Sequence, residues 1–246
     1  MSPTSSSDSS ELSPSAGRRA ELADNLVGVT SRIDAACAAA GRDVTEVTLV
    51  AISKTWPAAD VRLLAGLGVT NFGENRDAEA APKAAACADL PITWHFVGQL
   101  QTNKARSVAR YADVVHSVDR PHLVRALAAA ARGARRELTC LVQVSLDGDP
   151  ARGGVPIDAA KDIAQAIEAE TGIVLGGVMA MAPLGMVPAE AFAPLRRCSL
   201  AIREVRPDAT IISAGMSDDL EPAIEAGATH VRIGTALLGA RRPPVR

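Results

Sequence analysis

Aromatic side chains are scarce: one Tyr, two Trp and three Phe in 246 residues. A chain so poor in rings offers no platform on which successive bases could stack. An excess of charge of one sign is missing too. Lys and Arg number 26 against 28 Asp and Glu, a net charge of −2. That balance implies neither a nucleic-acid-binding field nor attraction to an acidic membrane. No apolar run approaches the roughly 18 residues that would span a bilayer. The few cysteines, Cys37, Cys87, Cys140 and Cys198, have none of the short spacings of metal sites. Without a signal-peptide pattern no disulfide framework is expected, and a reducing cytosol suits these thiols. The expectation is a soluble cytoplasmic protein with no nucleic-acid or membrane partner.

What is present is apolar: 48% of the residues, enough for a sizeable core. Residues 1–16 are rich in Ser and Pro and read as a disordered tail, leaving 17–246 as one domain. From about Arg18 to Ala40, apolar residues recur at three- and four-residue steps (Leu22, Leu26, Val29, Ile33, Cys37), the face of a helix that stops at Gly41. The run 47–52 is short, apolar and rich in β-branched residues, as a buried strand should be. Further strands are expected at 69–72, 92–97, 114–118, 138–146, 176–181, 210–214 and 229–233. Helical stretches at 58–67, 122–132, 158–171, 189–205 and 219–226 separate most of them. Strands alternating with helices in this number predict a single α/β domain, a (β/α)8 TIM barrel with an extra N-terminal helix. An open doubly wound sheet is the alternative. No Gly-x-Gly-x-x-Gly follows the first strand, which weakens its dinucleotide-binding form.

In such barrels the chemistry gathers at the C-terminal ends of the strands. Lys54 follows strand one, Glu74 and Asn75 strand two, Met216 and Ser217 strand seven, and Gly234 and Thr235 strand eight. A lysine at the barrel mouth is partly desolvated, which favours the neutral amine that attacks an aldehyde. It could equally snorkel from the rim into water. The loops after strands seven and eight commonly build a phosphate site. Ser217 could hold an anion beside the N–H groups of a helical first turn, or simply cap that helix. Gly234-Thr235 allows backbone to approach an anion closely, or makes a tight turn. Strand alternation turns Arg232 away from Val231 and Ile233, either into the barrel or outward onto a carboxylate. His95 reads as a hydrogen-bonded core histidine. His116, His122 and His230 lack metal spacing, and Asp113 and Asp119 read as solvated loop residues.

Taken in order, seven segments carry a resemblance: Val50–Thr55, Phe72–Asn75, Trp94–Gly98, Leu100–Lys104, Gly177–Ala180, Gly215–Asp219 and Val231–Thr235. The chain resembles the pyridoxal phosphate homeostasis family (PROSC/YggS-like), which shares its barrel with the N-terminal domain of alanine racemase. The resemblance implies pyridoxal 5′-phosphate (PLP) as cofactor, carried on Lys54 as a Schiff base. It implies a phosphate cradle of Ser217, Gly234 and Thr235 with Met216 beside it, Arg232 facing the pyridine nitrogen, and Asn75 lining the cofactor. A cation there disfavours protonation of the pyridine nitrogen and makes the ring a weaker electron sink. Three positions depart from the family pattern. Arg76-Asp77 stands where an aromatic is common, Trp56 replaces a polar residue, and Arg152 replaces a lysine.

The function implied is a carrier and regulator of PLP, holding it reversibly, with apo PLP enzymes as recipients and a monomer as the expected state. A PLP-dependent amino-acid racemase is the alternative, and a Schiff-base barrel acting on a sugar phosphate is a third. Racemisation needs a base on each face of the cofactor. In alanine racemase one base is a tyrosine from the partner subunit's second domain. This chain runs only to Arg246 after strand eight, and its one tyrosine, Tyr111, falls between strands three and four. The expectation is a site open on one side, suited to exchange and without dedicated turnover.

Overall fold

The computed structural model describes residues 14–183 and 185–240. Eight strands form a closed barrel in chain order, every neighbouring pair parallel. They are β1 (Thr48–Ile52), β2 (Asn71–Glu74), β3 (Thr93–Phe96), β4 (Val114–Val118), β5 (Leu138–Gln143), β6 (Ile173–Met179), β7 (Ile211–Ser213) and β8 (His230–Ile233). The helices are α1 (Pro14–Ala39), α2 (Ala58–Ala65), α3 (Asp77–Ala86), α4 (Ala105–Val108), α5 (Pro121–Ala134), α6 (Ala160–Glu168), α7 (Pro188–Arg203), α8 (Leu220–Glu225) and α9 (Thr235–Leu238). The expected TIM barrel is the fold observed.

Alternation along each strand sorts the side chains into two layers. Outward residues such as Ala51, Phe72, Trp94, Val231 and Ile233 pack under the helices with Val61, Leu64 and Leu237. Each fully buried residue of that size contributes about 1.5–3 kcal/mol. Inward residues include a small apolar cluster of Val114, Leu141 and Met179. The inward layer also carries polar residues, with His95, His116, Ser213 and Arg232 all buried.

The seam closes where Val50 pairs with Arg232 and Ala51 with Ile233. Helix α1 lies over it, packed on α8 and α9 through Leu22, Val29, Ile33 and Cys37. Its polar residues tie the same corner. Arg18 Nη2 donates to Asp60 and to the Leu238 carbonyl, both at 2.9 Å, and Asn25 Nδ2 to the Leu237 carbonyl at 3.0 Å. The helix begins at Pro14, so residues 14–16 of the expected tail are helical. The remainder of that tail, residues 1–13, lies outside the described residues.

Several boundaries differ from expectation. The second strand sits two residues further along, at Asn71–Glu74. The sixth begins at Ile173, before its two glycines. Those glycines belong to the barrel wall. A Cβ on Gly177 would lie 2.0 Å from the Ile211 carbonyl oxygen, so the close β6–β7 approach excludes one. Helix α3 has no large apolar residue and carries Pro82 midway, which reads as a breaker yet is accommodated.

Candidate functional site at the barrel mouth

The loop after β1 presents Lys54, half-buried, from a rigidly held backbone. Ser53 N–H donates to the Gly73 carbonyl at 3.0 Å, and Ser53 Oγ donates to Glu74 Oε1 at 2.6 Å. From α3, Lys83 Nζ donates to the Ser53 carbonyl at 2.7 Å and pairs with Glu74. Thr55 adopts φ +68°, and its N–H is taken by Glu79 at 3.0 Å. A β-branched residue in that region is strained by about 1–2 kcal/mol, so its neighbours must impose the conformation. Glu74 was expected at the mouth with Asn75. Strand parity sends it outward instead, under α3, fully buried and with Oε2 lacking a partner among the described residues. Burial raises its carboxyl above the usual value, against the pull of Lys83 and Ser53.

On β8, the strand next to β1, Arg232 turns inward and is 5% exposed. Its partners are neutral: Nη1 donates to Ser213 Oγ at 2.6 Å and Nη2 to the Ala180 carbonyl at 2.9 Å. The outward, carboxylate-paired alternative is therefore excluded. Burial lowers its pKa to about 10, partly countered by the more distant Asp219, so it remains a cation at neutral pH.

The loops after β7 and β8 meet each other. Ser217 is not the cap of α8. That position is Asp219, whose Oδ1 accepts the Met216 N–H at 2.5 Å. The Ser217 hydroxyl instead accepts the Ala236 N–H at 3.3 Å, bridging to the first turn of α9. Gly234 is the cap of α9. The Leu237 and Leu238 N–H groups bond the Gly234 carbonyl at 3.1 and 2.8 Å, while those of Thr235 and Ala236, at the helix start, have no acceptor within the helix.

All seven expected site residues, Lys54, Asn75, Met216, Ser217, Arg232, Gly234 and Thr235, line one cavity of about 350 Å³ at the C-terminal end of the barrel. That volume is at the small end for ligand pockets, as a compact cofactor requires. Asn75 is held there because Gly98 has no side chain. A Cβ on Gly98 would lie 2.1 Å from the Asn75 carbonyl oxygen. Gln99, Gln143, Met179 and Met181 also line it, and Asp218 lines it beside Ser217. They escape sequence reading because each is a lone residue at the end of a strand, outside any spacing. Asp119 was read as a solvated loop residue. It accepts the Gly154 N–H at 3.2 Å and so anchors the loop beside Arg152.

Residues 31–242 match the family described as "Alanine racemase, N-terminal domain". A "Pyridoxal phosphate homeostasis protein" of Mycobacterium leprae is 46% identical over 243 residues, covering 92% of this chain and 95% of that protein. The chain is a member of the pyridoxal phosphate homeostasis family. A solved structure of PipY from Synechococcus elongatus, with PLP bound, superposes at a TM-score of 0.78. It is 34% identical and covers 89% of this chain and all of that one. Alanine racemase of Corynebacterium glutamicum, at 16% identity and a TM-score of 0.64, shares the fold, and the match covers 60% of that chain.

Within the family, the three departures have local accounts. Trp56 lines the cavity and carries the Arg18 guanidinium 4.5 Å above its ring, joining α1 to the lysine loop. Asp77 opens α3, answers that helix's dipole and accepts the Tyr111 hydroxyl at 3.5 Å. Arg152 reaches Asp147 at 3.0 Å and the Ala182 carbonyl at 2.7 Å, while Gln143 Nε2 donates to its carbonyl at 2.9 Å.

Proposed function

We propose that this chain binds PLP reversibly on Lys54 and acts in intracellular PLP homeostasis, without a dedicated turnover of its own. The observation that carries the reading is the convergence of an amine, a buried cation and a small-residue cradle on one cavity. PLP supplies the aldehyde carbon on which Lys54 can form a Schiff base. Lys54 would hold the group through its amine, which would condense with that aldehyde with release of water and be freed again by hydrolysis. Backbone N–H groups of the Ser217 loop and of Gly234-Thr235 suit the phosphate. Arg232, a donor with no proton to accept, suits an unprotonated pyridine nitrogen. Met179, Met181 and Met216 give adaptable apolar walls.

The role as carrier is supported by the relatives' names and by the position of Tyr111. That residue is packed in the helix layer, its hydroxyl pKa raised by burial, and it is not among the residues lining the cavity. Apo PLP enzymes are the proposed recipients, the cytosol the proposed compartment, and a monomer the proposed state. The test pairs two assays on the loaded protein. It should restore activity to an apo PLP enzyme, while α-hydrogen exchange of alanine in deuterated water stays at the rate given by free PLP. Exchange well above that rate would overturn the carrier reading in favour of a racemase.

A further inference from the structure

Beneath the cavity a line of polar side chains crosses the barrel interior. Asn71 Oδ1 meets His95 Nε2 at 2.9 Å, and His95 Nδ1 meets His116 Nε2 at 2.8 Å. His116 Nδ1 meets Ser213 Oγ at 3.0 Å, and Ser213 Oγ accepts a hydrogen bond from Arg232 Nη1 at 2.6 Å. The two imidazoles stand edge to face with centroids 5.1 Å apart. His230 lies 6.0 Å from His95 but bonds to Thr229 Oγ1 at 3.0 Å, outside this line. His116 and Ser213 are fully buried, and His95 is 2% exposed. Most TIM barrels fill this layer with branched apolar residues.

Such a chain can be hydrogen-bonded in two directions, and its ends select one. Asn71 Nδ2 donates to Thr70 Oγ1 at 3.0 Å, which turns Oδ1 toward His95. His95 must then carry its proton on Nε2 and accept at Nδ1, so His116 donates from Nε2 and accepts at Nδ1. Ser213 donates its hydroxyl proton to His116 and presents its lone pairs to Arg232. Each link of the line then pairs one donor with one acceptor. Run in reverse, His116 and Arg232 would both donate to Ser213, whose own proton would lack an acceptor among the described contacts. In the favoured direction every bond points its positive end away from Arg232, so the dipoles together solvate a buried cation.

We propose that Asn71, His95, His116 and Ser213 form a one-directional hydrogen-bond wire that positions the Arg232 guanidinium at the cavity and thereby sets how tightly PLP is retained. The proposal rests on the reading that Arg232 faces the pyridine nitrogen. The wire holds and does not conduct. Arg232 keeps its proton at neutral pH, and the amide of Asn71 cannot relay one. Burial, reinforced by neighbouring His230, lowers the His95 pKa to about 3. Burial, then the charges of His95, Arg232 and His230, lowers that of His116. Both rings are thus held neutral, as the geometry needs, while the bonds at the two ends of the line set which nitrogen carries the proton.

Nitrogen-15 NMR of histidine-labelled apo protein tests the wire without any cofactor. His95 and His116 should both be neutral Nε2–H tautomers at pH 7, and a charged ring or an Nδ1–H form at either would overturn the proposal. In the second arm, Ser213→Ala cuts the wire at the arginine and Ser213→Thr restores the hydroxyl. Ser213→Ala should lose PLP about tenfold faster than wild type, with a moved pyridine nitrogen-15 shift, and Ser213→Thr should recover most of both. Wild-type binding of PLP with Ser213→Ala indistinguishable from it would overturn this proposal alone. Failure of the wild type to take up PLP would overturn the functional reading as well.

Discussion

Replacing Lys83 by methionine should expose how the lysine loop is held. Lys83 is 7% exposed and touches the carboxylate of Glu74, which is fully buried, and the carbonyl of Ser53, the residue before Lys54. Methionine keeps an unbranched apolar stem one atom shorter and removes both contacts. Glu74 would then keep only the Ser53 hydroxyl, with Oε2 already lacking a partner. Breaking a buried pair from one side costs about 3–5 kcal/mol, because the remaining charge stays buried. For a chain of this length that corresponds to a fall of roughly 6–20 °C in Tm. The pH dependence adds a sign. Without Lys83, the folded-state pKa of Glu74 is raised further above its unfolded value of about 4.3. Below pH ~4 the carboxyl is neutral in both states, and little beyond the lost hydrogen bonds is missing. As pH rises the unfolded state ionises while the folded state resists, so the deficit should grow toward pH 8. Urea unfolding of wild type and variant at pH 4.5 and pH 8 reads both effects. The double variant Glu74→Leu with Lys83→Met should recover most of the loss, since two apolar side chains replace the pair. A single variant within about 0.5 kcal/mol of wild type at pH 8, or a deficit that shrinks as pH rises, would refute the reasoning.

Gly98→Ala should destabilise by about 1–3 kcal/mol and weaken PLP binding together, because its methyl would displace the Asn75 backbone. Calorimetry alongside a binding titration would show both, and unchanged binding would mean that Asn75 does not touch the cofactor. Arg18→Ala should cost about 1–3 kcal/mol, since Asp60 is 5% exposed and loses its guanidinium partner. Denaturant unfolding would measure that. Trp56 fluorescence should shift in the same variant as its cation is removed, against Trp94 as a constant background.

Much of this was legible in sequence because period-two alternation is a local property. Val231-Arg232-Ile233 sets Arg232 opposite its two apolar neighbours, and its bond to Ser213 inside the barrel decides which side that is. The order of strands and helices gave the barrel, and the strand-end rule brought together residues separated by up to 181 positions, from Lys54 to Thr235. Pairings that depend on register between strands were not legible. His95 and His116 meet because β3 and β4 pair His95 with Val114, an offset no single sequence displays. Glu74 was misplaced for a related reason. Its partner Lys83 sits in an alanine-rich stretch broken by Pro82, with nothing to mark α3 as the cover of β2. The cavity wall formed by Gln99, Gln143 and Arg152 comes from two loops and the end of β5, which tertiary closure alone assembles.

The measurement that bears most directly on the account is borohydride reduction of the PLP-treated protein, followed by peptide mass mapping, with Lys54→Ala in parallel. The account predicts an absorbing Schiff base in the wild type, lost on reduction, and one pyridoxyl adduct on the peptide carrying Lys54. The variant should show neither. A wild type that stays colourless with added PLP, or an adduct confined to other lysines, would contradict it.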